Sequence, residues 1–201
     1  MVKFIIIRHG YSQFNKEKKF TGQTDVPLDA LGVLQAERTA EYILNHFKVD
    51  AVYSSDLSRA INTAEPVARA LNLQIHLDSD LREIYLGDWQ GRFLDEVKKT
   101  QEYALWNAEI GNYGDRENHS QLLERAKKVF QRIAEENEGK CVLVSSHGGV
   151  VNSMTREWLG AENADKVKFP GNASVSVVNY DAKTKTAEIL LLGYNGHLVG
   201  L

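Results

Sequence analysis

Hydrophobic positions along the chain change period several times, and each change marks an element. Residues 3–8, KFIIIR, form a continuous apolar run of strand length, whereas Ala36, Ala40, Ile43, Leu44 and Phe47 recur at the spacing of one helix face. A second short strand is expected at 51–53, ending in Ser54 and Ser55. Ala60, Ile61, Ala64, Val67, Ala68 and Leu71 then return to the helical period. A brief strand near 74–77 follows. Leu122, Leu123, Ala126, Val129, Phe130, Ile133 and Ala134 draw the stripe of a long amphipathic helix, which stops near Glu138 and Gly139, before the strand CVLVSS. Another helix is predicted from about Gly149. The runs SVSVVNY and TAEILLL, joined across DAKTK, read as a hairpin at a sheet edge.

Strands that alternate with helices predict an α/β fold of three layers, α/β/α. Its central sheet is mostly parallel, with an antiparallel edge strand or hairpin and right-handed crossovers. Residues 93–119 break the pattern, being polar and rich in aromatics such as Tyr103, Trp106 and Tyr113. They are expected to be partly helical and outside the sheet, as a lid or insert on a single domain spanning 1–201.

Composition narrows the function. At 201 residues and 43% hydrophobic, the chain can bury one substantial core. Its 24 Lys and Arg against 27 Asp and Glu, with no basic run, suggest neither a nucleic-acid footprint nor a membrane-surface stripe. Any strongly anionic ligand must therefore meet a local cluster of cations. Only four apolar residues, Phe4 to Ile7, follow Lys3 before Arg8 interrupts, too few for a signal-peptide core or a membrane span, so a soluble, cytoplasmic protein is expected. Cys141 is the single cysteine, expected buried and inert. The exposed edge hairpin permits a homodimer.

Three of the expected strands end alike. The first delivers Arg8 and His9, the second Ser54, Ser55 and soon Arg59, and the third Ser145, Ser146, His147 and Gly148. Ligands of open α/β sheets bind beyond the carboxyl ends of the strands, so two His and two Arg converge if these strands are neighbours. Arginine forks onto phosphate oxygens, and glycines after each His let backbone N–H groups approach an anion. An imidazole among cations is favoured in its neutral form, which leaves a ring nitrogen free as a nucleophile toward phosphorus. The missing acid is sought in LREIYLGDWQG at 81–91, which offers Glu83 and Asp88. Glu83 lies among Leu81, Ile84 and Leu86, a setting expected to favour a protonated acid. His46, His76, His119 and His197 are scattered, and no HExxH, CxxC or G-x-S-x-G pattern occurs.

RHG at 8–10, followed by Ser12 and Asn15, resembles the signature of the histidine phosphatase superfamily, the cofactor-dependent phosphoglycerate mutase-like proteins. FTGQTDVPLDALG, SSDLSRAINTAE, LREIYLGDWQG, VSSHGG and PGNASVSV resemble further family blocks in the expected order, covering nearly the whole chain. The resemblance implies that His9 is the phosphorylated nucleophile, that Arg8, Arg59 and His147 hold the phosphoryl group, and that Glu83 is the proton donor. It implies phosphate contacts for Asn15, Gln23 and the Gly148 N–H, with Ser12 nearby. It implies no metal and no cofactor, and a small-molecule phosphomonoester as the partner. One departure is Arg116-Glu117-Asn118, where the family usually shows Gly-Glu-Ser ahead of a helical arginine, here Arg125.

Phosphomonoester hydrolysis is the first reading. The alternative is a phosphoglycerate mutase on the same phosphohistidine, but mutases carry an adjacent arginine pair in the insert, and 91–125 has only Arg92, Lys98, Lys99 and Arg116 before Arg125. A third reading is an inactive binding module on the same fold.

Overall fold

Strand β1 (Val2–Arg8) lays out the core, because successive side chains of a strand point to opposite faces of its sheet. Phe4 and Ile6 join one apolar cluster, Ile5 and Ile7 another, and all four are buried. A strand buried on both faces stays apolar until it ends, and that is why Arg8 falls at the sheet's rim. The computed structural model describes residues 1–111, 113–164 and 167–201, so position 112 of the polar 93–119 segment lies outside the described residues.

One sheet runs in the order β3-β2-β4-β1-β5-β6, adding β2 (Ala51–Ser54), β3 (Ile75–Leu77), β4 (Cys141–Ser146), β5 (Val175–Asp181) and β6 (Thr186–Tyr194). The pairs β3–β2, β2–β4 and β4–β1 are parallel, whereas β5 runs antiparallel to β1, and β6 to β5. This is the expected mostly parallel sheet with an antiparallel hairpin at one edge.

Among the helices, α1 (Gln13–Lys16) is a single turn and α2 (Ala30–His46) and α3 (Ser58–Leu71) cover one face. Their Ala40, Ile43, Ala64, Val67 and Ala68 pack on Ile5, Ile7, Val52 and Leu143. The short helices α4 (Leu94–Val97) and α5 (Gln101–Asn107) stand outside the sheet in the aromatic-rich segment, as its composition predicted. On the opposite face lie α6 (His119–Glu136) and α7 (Gly148–Leu159), followed by α8 (Ala161–Ala164). Leu122, Ala126, Val129, Phe130, Ile133, Val150 and Met154 meet Phe4, Ile6, Val142 and Val144 there. Cys141 is half-buried rather than fully so, and burial pushes its thiol further above neutrality. Among the described residues no helix is long and apolar enough to cross a membrane.

Candidate active site

Parallel pairing in close register brings the three polar strand ends to one rim. Arg8 lies opposite Ser146, and Ser54 opposite Ser145. The ladder continues past the strands, since the His9 N–H donates to the Ser146 carbonyl at 2.9 Å and the Ser55 N–H to the Ser145 carbonyl at 3.0 Å. Antiparallel β5 enters the sheet at this same end, so the loop 169–174 joins the rim. There the Ala173 N–H donates to the carbonyls of Arg8 and His9 at 3.0 and 3.2 Å, and the Asn172 amide donates to the His9 carbonyl at 3.1 Å.

His9 is 4% exposed, with Nδ1 2.7 Å from its neighbour's carbonyl, that of Gly10. A carbonyl only accepts, so Nδ1 carries the proton and Nε2 keeps its lone pair. Burial, then the charges of Arg59 and Arg8, hold the imidazole well below its usual titration range, which keeps it neutral. His147, fully buried, has its ring centre 5.2 Å from that of His9. Its Nε2 is 2.8 Å from Ser55 Oγ, its Nδ1 has no partner, and burial and Arg59 likewise depress its protonation.

The cations are held by backbone carbonyls rather than by carboxylates. Arg59 is fully buried in the first turn of α3 and donates to the Thr24 and Gly22 carbonyls at 2.8 Å each. Burial pushes its guanidinium down to about 10, so it stays charged at neutral pH. Arg8 donates to the Pro170 carbonyl at 2.7 Å and lies over the Phe169 ring. The Nε groups of both arginines are buried without a partner. A fully buried and a half-buried cation, each with a buried unpaired donor, beside an unpaired imidazole nitrogen, form an environment that an anion completes.

Glu83 joins them from the loop after β3, but not in the apolar setting its neighbours suggested. Both of its carboxylate oxygens accept from the Gly149 N–H, at 3.1 and 3.0 Å, and Oε1 also accepts from the Ile84 N–H at 2.9 Å. A Cβ on Gly149 would meet the carboxylate, so glycine there is what lets Glu83 approach. The glycines expected to admit a ligand admit protein groups instead: a Cβ on Gly10 would strike the Gly32 backbone, and one on Gly148 the Phe169 ring.

A cleft of about 530 Å³ opens here, with Arg8, His9, Asn15, Arg59 and Glu83 on its wall. Asn15 Oδ1 accepts from the Ser12 N–H, the Ser12 hydroxyl and Asn172, which leaves its NH₂ as the group available to a ligand. Ser12 is fully buried and caps α1, Gly148 is off the wall, and His147 is buried beside His9. Gln23 is also off the wall. Its side-chain amide donates to the Glu83 carbonyl at 3.0 Å, so it steadies the acid's loop in this structure. Asp88, the rival acid, is 70% exposed and paired with Arg116, away from the cleft.

Three contributors carried no role in the sequence reading. Asn172 and Phe169 come from the loop entering β5. Glu117 and Arg125 form the third: the Arg125 guanidinium grips the Glu117 carboxylate at 3.0 and 2.8 Å and donates to the Asp80 and Arg82 carbonyls at 2.7 and 2.9 Å. Glu117 in turn accepts from the Tyr85 N–H at 3.1 Å. Glu117, the one family residue kept in Arg116-Glu117-Asn118, thus clamps the Glu83 loop on both sides. Asn118 caps α6, accepting from the Gln121 N–H at 2.8 Å. Among the described residues no group of three His, Cys, Asp or Glu side chains suits a metal ion.

The chain matches the model of the histidine phosphatase superfamily (branch 1) over residues 4–191. It is 35% identical to Phosphoglycerate mutase-like protein 4 of Arabidopsis thaliana over 181 residues, which span 87% of this chain and 78% of that protein. Metal-independent phosphoserine phosphatase of the same plant is 30% identical over 185 residues, spanning 89% and 76%. Among solved structures, Bacillus stearothermophilus YhfR superposes with a TM-score of 0.88 at 26% identity, over 98% of this chain and 100% of that one.

Proposed function

This chain belongs to the histidine phosphatase superfamily, and from that premise we propose that it hydrolyses small phosphomonoesters in the cytoplasm through a phosphohistidine on His9. The observation that carries this reading is the Nδ1 contact of His9 with the Gly10 carbonyl, which leaves Nε2 unprotonated in a cleft lined by Arg8 and the buried Arg59. In the proposed course, Arg8, Arg59, His147 and the Asn15 amide hold the phosphoryl oxygens, and Nε2 attacks phosphorus in line. The bond from phosphorus to the ester oxygen breaks, and the departing alkoxide takes its proton from Glu83. Glu83 then takes a proton from a water that attacks the phosphohistidine, which releases inorganic phosphate and restores His9. Charge gathering in this transition state is offset by the arginines, the electrostatic work that dominates phosphoryl transfer.

A mutase reading is favoured by the name of the Arabidopsis relative. It is weakened at Arg116, which is committed to Asp88 and Glu102 and stacks on Trp89, and this leaves Lys98 as the cation of 91–125 on the cleft wall. Incubation with 4-nitrophenyl phosphate, and with 3-phosphoglycerate with and without its bisphosphorylated primer, separates the two. Release of inorganic phosphate without isomerisation is expected, together with an acid-labile phosphoenzyme that His9→Ala abolishes. A His9→Ala protein that still turns over would end the proposal.

A further inference from the structure

The cleft does not end at the phosphate. It shares Asn107, His119, Asn152 and Ser153 with a second cavity of about 610 Å³, which runs along α6 and α7 to Gly160. Either space alone falls in the range of ~300–1,000 Å³ that holds a whole small-molecule ligand. The second space opens on the leaving-group side. Gly149, whose N–H holds Glu83, stands three and four residues before Asn152 and Ser153, so all three share one side of α7.

Two features describe what belongs there. The side-chain polar atoms of Asn107, His119, Asn152 and Ser153 have no hydrogen-bond partner among the described residues, although His119, Asn152 and Ser153 are partly buried. Amide, hydroxyl and imidazole together offer both donors and acceptors. Beside them, the half-buried rings of Phe20 and Tyr103 line the cleft 5.9 Å apart between centres, backed by the buried Trp106 at 5.7 Å from Tyr103. The His119 ring lies against Trp106 at 4.6 Å. A fatty chain would cover the rings but strand the polar groups. A sugar satisfies both, setting its C–H face on aromatic rings and its hydroxyls on amides and hydroxyls.

We infer that this second cavity is the leaving-group subsite for a polyhydroxylated alcohol, so that the substrate is a sugar phosphate of hexose size or larger, with Asn152 and Ser153 determining specificity. This rests on the phosphatase reading above. Phosphate release is to be measured with glucose 6-phosphate, glycerol 3-phosphate and 4-nitrophenyl phosphate. Wild-type kcat/KM should be about tenfold or more higher for the hexose phosphate than for glycerol 3-phosphate. Asn152→Ala and Ser153→Ala, checked for native melting, should each lower kcat/KM for the hexose phosphate about tenfold, chiefly through KM, and by a distinctly larger factor than for 4-nitrophenyl phosphate. Equal use of hexose and glycerol phosphates, or variants that slow all three substrates by one factor, overturns the subsite while leaving the phosphatase standing. Silence on all three substrates removes the phosphatase and the subsite together.

Discussion

At the scale of single residues, Glu83 carries the sharpest expectation. Replacing it by Gln keeps the shape and one acceptor oxygen but removes the transferable proton. Glu83→Gln should therefore lose on the order of 10²- to 10⁴-fold in kcat on an alkyl phosphate, and much less on 4-nitrophenyl phosphate, whose leaving group needs little protonation. Equal losses on both esters would point to positioning alone. His9, Arg8, Arg59 and His147 were legible because each sits next to a strand end or helix start that the hydrophobic pattern already marked. Glu83 could be separated from Asp88 only by the family block, and its partner, the Gly149 N–H, stands 66 residues away along the chain. Asn172 was illegible as a neighbour of His9, because its three contacts, with His9, Gly10 and Asn15, depend on which strand enters the sheet at this rim.

At the scale of elements, the start of α7 does two jobs that can be pulled apart. Its first turn packs in the core beneath Val150 and Val151, and its Gly149 leaves room for the Glu83 carboxylate. Alanine at Gly149 would meet the flexible end of Glu83 and come within 3.2 Å of the buried Leu122 side chain, a tightness that alanine's better helix propensity offsets. Gly149→Ala should therefore melt at or above the wild-type temperature while losing on the order of 10²-fold or more in kcat, because the acid is displaced. A variant that is stable and fully active would show that Glu83 does not need its present seat. The helices and strands were readable from their periods, down to the hairpin. The clamp of Glu117 and Arg125 on residues 80–85 was not, because it joins two loops and a helix that no local pattern relates.

At the scale of the whole molecule, the buried imidazoles tie stability to pH. His9 and His147 are held well below the usual value of 6.5, and burial depresses His119 and His197 in the same direction. Below about pH 6.5 the unfolded chain binds protons that the folded chain refuses, so the stability these groups contribute is complete above that pH and is lost as pH falls toward their folded values. Urea midpoints should drop between pH 7.5 and pH 5, each unit of depression being worth up to about 1.4 kcal/mol, and His147→Asn should flatten the slope. An unchanged midpoint across that window would contradict neutral, buried imidazoles. The sheet order has a consequence of a different kind. Strand β1 is synthesised first, yet it pairs with residues 141–146 on one side and 175–180 on the other. A chain growing from the ribosome therefore holds its most apolar strand unmatched until Tyr180 has emerged, and any fragment that stops earlier leaves β1 with an open side. Completion of this sheet therefore depends on contacts of long sequence separation, which slow folding and leave apolar strand edges open to aggregation in shorter products.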